Sequence, residues 1–432
     1  MEQSTLYKEA HSYPRDLADF VRGAWRDSRS APDLPTLRRV FSVCYQASLM
    51  REEERPIIFR MILGGPELFP PNEGPPSGLH RLEFSRPRPF HEDETRRLSP
   101  AADFYRAMLG VSPGEDGKLR IWGMVYSGPR WVQRTQGGRS EAPPMPPAPV
   151  VHVTEPGTVE VYRGSEFLAK LDGGRLLGAQ MDVFASKWML DDFEEVVDEI
   201  SALHIVARSR AREPWAPLDA DLTHAIGQHA LRRMISVLRD ARHGATLVFV
   251  PLESVREFSR KNGYVSFKYR FADAAPRHRF RAILVGIMNR LAEVHGRGEE
   301  VSYPRNVGWG EYRESEDPKI AELDEAVFEV SHLVASLADV DGAVVMSKRY
   351  ELLGFGGEIS GSLPDVRTVA RALDLEGERS VEESTENVGT RHRSAYRLAG
   401  ALPNALVVVI SQDGSAQFVT RKSGAVTYWE QA

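Results

Sequence analysis

Hydrophobic positions along the chain alternate between helical and extended spacing. Near the start, Leu17, Phe20, Val21 and Trp25 share one helical face, as do Leu37, Val40, Phe41 and Cys44. Leu231, Met234, Ile235, Leu238 and Ala241 make a stripe that stops at His243-Gly244, and residues 245–251 (ATLVFVP) then read as a buried strand. Ile320, Leu323, Val327, Val330, Val334 and Leu337 recur at intervals of 3, 4, 3, 4 and 3, a long amphipathic helix leading into a strand at 341–346 (DGAVVM). Residues 391–398 read as helix before another buried strand, 405–411 (ALVVVIS), paired with 416–420. In the first half, strand-like pieces at 118–126 (KLRIWGMVY), VVHV, TVEVYRG and EFLAKL precede an acidic helix over 191–205. Helices alternating with apolar strands predict an α/β fold: a C-terminal mixed β-sheet flanked by helices, preceded by smaller α+β N-terminal domains.

Breaks in this pattern divide the chain. Residues 142–149 (APPMPPAP) hold five prolines in eight positions, which removes backbone donors and favours an extended linker. The predicted units are a regulatory or sensor region over 1–141, the linker, a small α+β sensor subdomain over 150–215, and a catalytic domain over 225–428 with an insertion at 254–318. At 432 residues the chain is long enough for several cores.

Charge narrows the function classes. Fifty-five Lys and Arg against 61 Asp and Glu give a formal charge of −6, which argues against whole-molecule binding to nucleic acid or an anionic membrane. One cysteine, Cys44, allows neither an intramolecular disulfide nor a multi-thiolate zinc site and reads as a small core hydrophobe. No apolar stretch reaches the length of about 20 residues that spans a bilayer, and the N-terminus lacks a signal-peptide core, so a cytoplasmic protein is expected.

Three short clusters could carry chemistry. Asp341-Gly342-Ala343 opens a buried strand; it reads either as a turn or as a metal-binding carboxylate beside a glycine that admits a ligand to the backbone. Gly389-Thr390-Arg391-His392-Arg393 stands at the start of a helix, where backbone N–H groups and guanidinium forks together favour an anion; the alternative is a solvated basic turn. Ser411-Gln412-Asp413-Gly414 follows the ALVVVI strand as a hairpin turn. His243 reads as a helix-end residue, and the glycines Gly354, Gly356 and Gly357 as a turn rather than a phosphate loop.

In combination and in order, these clusters resemble diadenylate cyclase domains, in which a GALIV-like strand is followed by DGA, GTRHRAA and a strand ending in a Ser-Glu-Glu turn. Here the corresponding segments are 244–248 (GATLV), 341–343 (DGA), 389–395 (GTRHRSA) and 411–414 (SQDG). The resemblance implies that two ATP molecules, one per protomer of a homo-oligomer with face-to-face cyclase domains, condense to cyclic di-AMP with release of two pyrophosphates. It implies catalytic roles for Asp341, Arg391, His392 and Arg393. ATP would be bound by Gly342, Ala343, Gly389, Thr390, Arg391, His392, Arg393 and Ser411, and Mg2+ or Mn2+ by Asp341 and Asp413. Where the family has two adjacent glutamates after the serine, this chain has Gln412 and Asp413. A catalytically weakened nucleotide-binding sensor of the same fold, or a cyclase making a different cyclic nucleotide, are the alternatives.

Residues 13–20 (YPRDLADF), 46–55 (QASLMREEER) and 243–251 (HGATLVFVP) resemble the predicted sensor region found N-terminal to some bacterial diadenylate cyclase domains. Residues 373–387 read as an acidic loop. Residues 267–281 (FKYRFADAAPRHRFR) interleave aromatic and basic side chains and read as an amphipathic strand and solvated helix, or as a nucleotide-binding stretch. Their Arg277-His278-Arg279 repeats the RHR order without the preceding Gly-Thr.

Overall fold

The computed structural model describes residues 11–25, 31–75, 78–128, 145–178, 182–241, 243–258, 260, 262–296, 306–412 and 415–431. The fold is α/β, and the chain forms two compact units, Met1–Ala179 and Gln180–Ala432.

The N-terminal unit is built on an eight-stranded sheet, ordered Arg175–Gly178, Glu166–Asp172, Thr158–Arg163, Pro149–Glu155, Phe59–Leu63, Ala107–Pro113, Leu119–Tyr126, His80–Pro89. Alternation along each strand sends Phe59, Met61, Val151, Val153, Val159 and Val161 to one face. The helices Pro14–Ala24 and Leu34–Ser48 cover that face with Leu17, Val21, Leu37, Phe41 and Cys44. The second helix starts where Asp33 accepts a hydrogen bond from the Thr36 N–H at 2.9 Å. Cys44 is buried with its Sγ 3.6 Å from Met61 Sδ, and burial pushes its thiol pKa up, as expected of a core residue. The opposite face carries a row set by strand register: Arg60 opposite His152, His152 opposite Glu160, Glu160 opposite Lys170. Burial, and secondarily the charge of Arg60, hold the His152 imidazole well below its ordinary pKa.

This sheet corrects the expected boundaries. Residues 150–178 do not form a separate subdomain, because Pro149–Glu155 pairs antiparallel with Phe59–Leu63 and extends the same sheet. The acidic helix runs longer, Lys187–Ser209, and packs in the C-terminal unit through Met189, Phe193, Val196 and Ile200. Residues 142–144 of the proline-rich segment lie outside the described residues.

The C-terminal unit holds a nine-stranded mixed sheet, ordered Val265–Arg270, Leu352–Ile359, Ala343–Ser347, Ala245–Val250, Leu406–Ile410, Ala416–Lys422, Ala425–Gln431, Thr368–Ala372, Ser380–Ser384. Its central strands are buried at every position because both faces are covered: Leu247 and Phe249 join the core under the helices Lys187–Ser209, Leu222–Asp240, Arg279–Gly296 and Pro318–Ala338, while Val248 and Val250 join that under Thr390–Ala401. Pro318–Ala338 begins at Asp317, which caps Lys319 and Ile320 and accepts two hydrogen bonds from Arg290 at 3.0 and 2.7 Å. Those Arg290 bonds, ahead of the capping N–H groups, depress the Asp317 pKa to about 2.

The stretch at 254–318 is integral to this unit. Val265–Arg270 is an edge strand of the sheet, and Arg279–Gly296 buries Phe280, Ile283, Leu284, Ile287, Met288 and Leu291. Within the aromatic and basic stretch, Ala275–His278 is a short helical turn with no buried residue, and the core helix starts just after it. The acidic segment at 373–387 contains the strand Ser380–Ser384, whose alternation of side chains is hidden from a hydrophobicity pattern because almost all of it is exposed. The glycine cluster is neither turn nor loop: Gly354, Gly356 and Gly357 lie within the strand Leu352–Ile359, at register irregularities against Ala343–Ser347.

Candidate functional site

Topology brings the predicted clusters to one edge of the nine-stranded sheet. Ala245–Val250 and Ala343–Ser347 are parallel neighbours, so Gly244 and Asp341-Gly342 enter the sheet side by side. Leu406–Ile410 runs antiparallel to Ala245–Val250, with Ile410 opposite Ala245, so its exit, Ser411-Gln412, lies at the same edge. The helix Thr390–Ala401 points its N-terminus there, with Gly389 at the cap position and no side-chain cap on its first turn. A cleft of about 790 Å³ results. It is lined by Asp341, Gly342, Ala343, Gly389, Thr390, Arg391, His392 and Ser411, joined by Thr246, Lys268, Gly357, Glu358, Ile359, Ser394, Ile410 and Gln412.

Asp341 presents its carboxylate to solvent, with 97% of the side chain exposed. Lys268 donates to the Asp341 carbonyl at 3.0 Å and stands 3.8 Å from Oδ2. Gly342 has φ +122°, and a Cβ there would lie 2.6 Å from the Gly356 carbonyl carbon and 2.8 Å from the Gly357 N. The strand alongside therefore requires a glycine at 342 irrespective of any ligand. Gly244, at φ +67°, leaves room for Arg391: a Cβ there would overlap Nη1 of that guanidinium.

Arg393 goes elsewhere. Its guanidinium donates to the carbonyls of Glu386 at 3.3 Å and Val388 at 3.2 Å, bracing the segment that leads into Gly389, and it does not line the cleft. Of the nine predicted site positions that the structure describes, Arg393 alone is not among the cleft-lining residues. Asp413 lies outside the described residues. His243 follows the helix Leu222–Asp240 and pairs through Nε2 with Asp339. The second RHR triplet is remote from this chemistry: Arg277 and His278 surround Glu351, His278 Nδ1 being 3.1 Å from its carboxylate.

Sequence reading missed Thr246, Lys268, Glu358, Ile359 and Ser394. Lys268 sat within the aromatic and basic stretch already noted, but its strand could be assigned to the sheet edge only through long-range pairing. Lys268 and Arg391 are the lysine and arginine among the described lining residues; Asp341 and Glu358 are the carboxylates. The arrangement suits an anion held by a helix N-terminus and two cations beside an exposed carboxylate.

Residues 26–126 match the family model described as probable sensor domain DACNV. No curated protein and no solved structure shows significant similarity to the chain. The DACNV match lies within the unit Met1–Ala179 and contains four neighbouring strands of the eight: Phe59–Leu63, Ala107–Pro113, Leu119–Tyr126 and His80–Pro89. All the cleft residues lie outside it. Of the three segments expected to belong to a sensor region, 46–55 falls inside the DACNV match and 13–20 precedes it. Residues 243–251 instead supply a central strand of the C-terminal sheet, their apolar run being that of a strand buried on both faces. No helix among the described residues is long and apolar enough to cross a membrane.

Proposed function

We propose that the chain is a diadenylate cyclase whose C-terminal unit condenses two ATP molecules into cyclic di-AMP and whose DACNV-containing N-terminal unit regulates it. The observation that carries this reading is the convergence of the DGA, GTRHR and Ser411-Gln412 segments, 341 to 412 in sequence, on one cleft. A sensor-type match of the kind found ahead of diadenylate cyclases supports it.

In the reaction each ATP 3′-oxygen forms a bond to the other nucleotide's α-phosphorus, the bond from that phosphorus to the bridging oxygen breaks, pyrophosphate leaves, and the hydroxyl proton passes to solvent. The N-terminal N–H groups of Thr390–Ala401 and the Arg391 guanidinium bind phosphate oxygens and oppose the charge that builds on the leaving pyrophosphate. Thr390, Ser394 and Ser411 offer hydroxyls that orient it. Arg393 acts as a positioning residue, holding the approach to Gly389. His392 donates from its ring to the phosphate chain. Asp341, exposed at the cleft, orients the attacking hydroxyl.

Mg2+ or Mn2+ fits this donor set. Among the described residues no group of three or more His, Cys, Asp or Glu could hold a metal by itself, and Mg2+ characteristically takes one or two carboxylates with substrate phosphates and water. Asp341 would supply one carboxylate and Asp413 a second. Bound there, the ion supplies Lewis-acid charge neutralisation at phosphoryl oxygens. One cleft accommodates one nucleotide, so turnover requires two protomers with clefts facing.

The neutral Gln412 amide lining the cleft favours one alternative, a nucleotide sensor with weakened turnover. Incubating the purified chain with ATP and Mg2+ or Mn2+, followed by mass spectrometry of products, separates the readings. Cyclic di-AMP supports the cyclase, another cyclic dinucleotide redirects it, and bound ATP without product leaves the sensor.

A further inference from the structure

We propose that Lys268 is a phosphate-binding residue of the cleft, released from Asp341 to the nucleotide's phosphate chain when the nucleotide enters. This rests on the nucleotide reading above and adds a residue that no motif contains.

Three observations carry it. A triphosphate calls for more than one fixed cation, and the second arginine of the GTRHR cluster is committed elsewhere, to the carbonyls of Glu386 and Val388. Lys268 and Arg391 are the lysine and arginine among the described residues that line the cleft, so Lys268 takes the place that sequence order gave to Arg393. Its hold on Asp341 is also replaceable. The ammonium donates to the Asp341 carbonyl at 3.0 Å and stands 3.8 Å from Oδ2, with 51% of the lysine and 97% of the aspartate side chain exposed, so that water competes for the hydrogen bond and screens the attraction. A polyphosphate carries several charges and offers the stronger partner.

The third observation concerns the stem. Lys268 lies across Gly356, where φ is +58° and an added Cβ would come within 3.1 Å of both Cβ and Cδ of the lysine. The bare backbone at Gly356 thus seats the aliphatic part of the side chain on the sheet, and the ammonium alone has to change partners. That limits the entropy lost on binding phosphate, because most of the chain is already ordered.

Calorimetry of the full-length protein with α,β-methylene ATP and Mg2+, which binds without turnover, tests the assignment. Lys268→Met keeps the stem and removes the charge; affinity should fall about ten- to a hundredfold, the range for a hydrogen bond to a charged group. Lys268→Arg should recover most of that loss. If Lys268→Met is poorly folded by circular dichroism, Lys268→Gln replaces it. Unchanged affinity in the charge-removed variant, with wild type binding, overturns the role of Lys268 and leaves the nucleotide reading standing. Equal weakening in the Met and Arg variants also overturns it, since the shape of the side chain would then matter and its charge would not. Wild type that binds no nucleotide overturns the nucleotide reading and this assignment with it.

Discussion

The Arg391 guanidinium occupies the space that a side chain at Gly244 would need, although the two residues are 147 positions apart in sequence and lie on a helix and at a strand entrance. The φ of +67° favours a glycine there, and an added Cβ would push the flexible guanidinium aside. Gly244→Ala should therefore cost about 1–2 kcal/mol from the left-handed backbone alone. It should also lower cyclic di-AMP formation more than tenfold by displacing Arg391, the order of loss expected of a misplaced charged contact. Urea denaturation and product assay on the same sample check both; full activity in a destabilised variant would show that Arg391 tolerates displacement.

Asp341→Ala should abolish product formation and leave the melting temperature within about 1 °C of wild type, since a surface change away from packing costs little. The basis is the 97% exposure of the Asp341 side chain, which contributes no core contact. Retained turnover would remove Asp341 from the mechanism.

Arg391 and Arg393 should separate by readout. Arg391→Ala is expected to weaken ATP binding by about tenfold or more at unchanged melting temperature, because the partner proposed for it is the ligand. Arg393→Ala removes donors from the Glu386 and Val388 carbonyls, so melting temperature and affinity should fall together. Calorimetry beside thermal denaturation distinguishes the pair, and identical behaviour would contradict the placement of Arg393.

Stability of the N-terminal unit should depend on pH through His152. Unfolded, its imidazole takes up a proton near pH 6.5. Folded, it sits on the sheet with Arg60 and Glu160 opposite it and Tyr162 and Phe104 against its ring, and stays neutral to well below that value. Below pH 6.5 the unfolded state thus binds more protons, and stability falls as pH falls, by up to about 1.4 kcal/mol per unit. His152→Gln should flatten that slope between pH 6.5 and 5.5 in urea denaturation. An unaltered slope would assign the dependence to other groups of that unit.

How much was legible in the sequence depended on whether a signal was local. The strand ATLVFV, the helix with its 3, 4, 3, 4, 3 spacing and the start of Thr390–Ala401 each announce themselves within a dozen residues, and the DGA and GTRHR clusters follow as their termini. Lys268 was hidden because edge-strand pairing with Leu352–Ile359 joins residues about 90 positions apart, as Phe267 does with Gly357. Arg393 was misplaced for a different reason. Consecutive residues of a helix point about 100° apart, so a basic triplet cannot send all its side chains to one ligand. The proline-rich stretch suggested a domain boundary, yet strand pairing continues beyond it from Phe59–Leu63 to Pro149–Glu155.

That pairing also bears on what the DACNV match, residues 26–126, is physically. A fragment ended at 126 would keep the strand Phe59–Leu63, five residues buried throughout, and strip away its neighbour on one side. Four hydrophobic residues and one arginine with an open row of amide and carbonyl groups are a template for recruiting strands from other molecules. Such a fragment should accumulate as aggregates, whereas one ended at 179 retains the whole sheet and should stay dispersed. The stretch matched by family resemblance is thus shorter than the sheet to which it belongs, and the missing four strands are the difference between them.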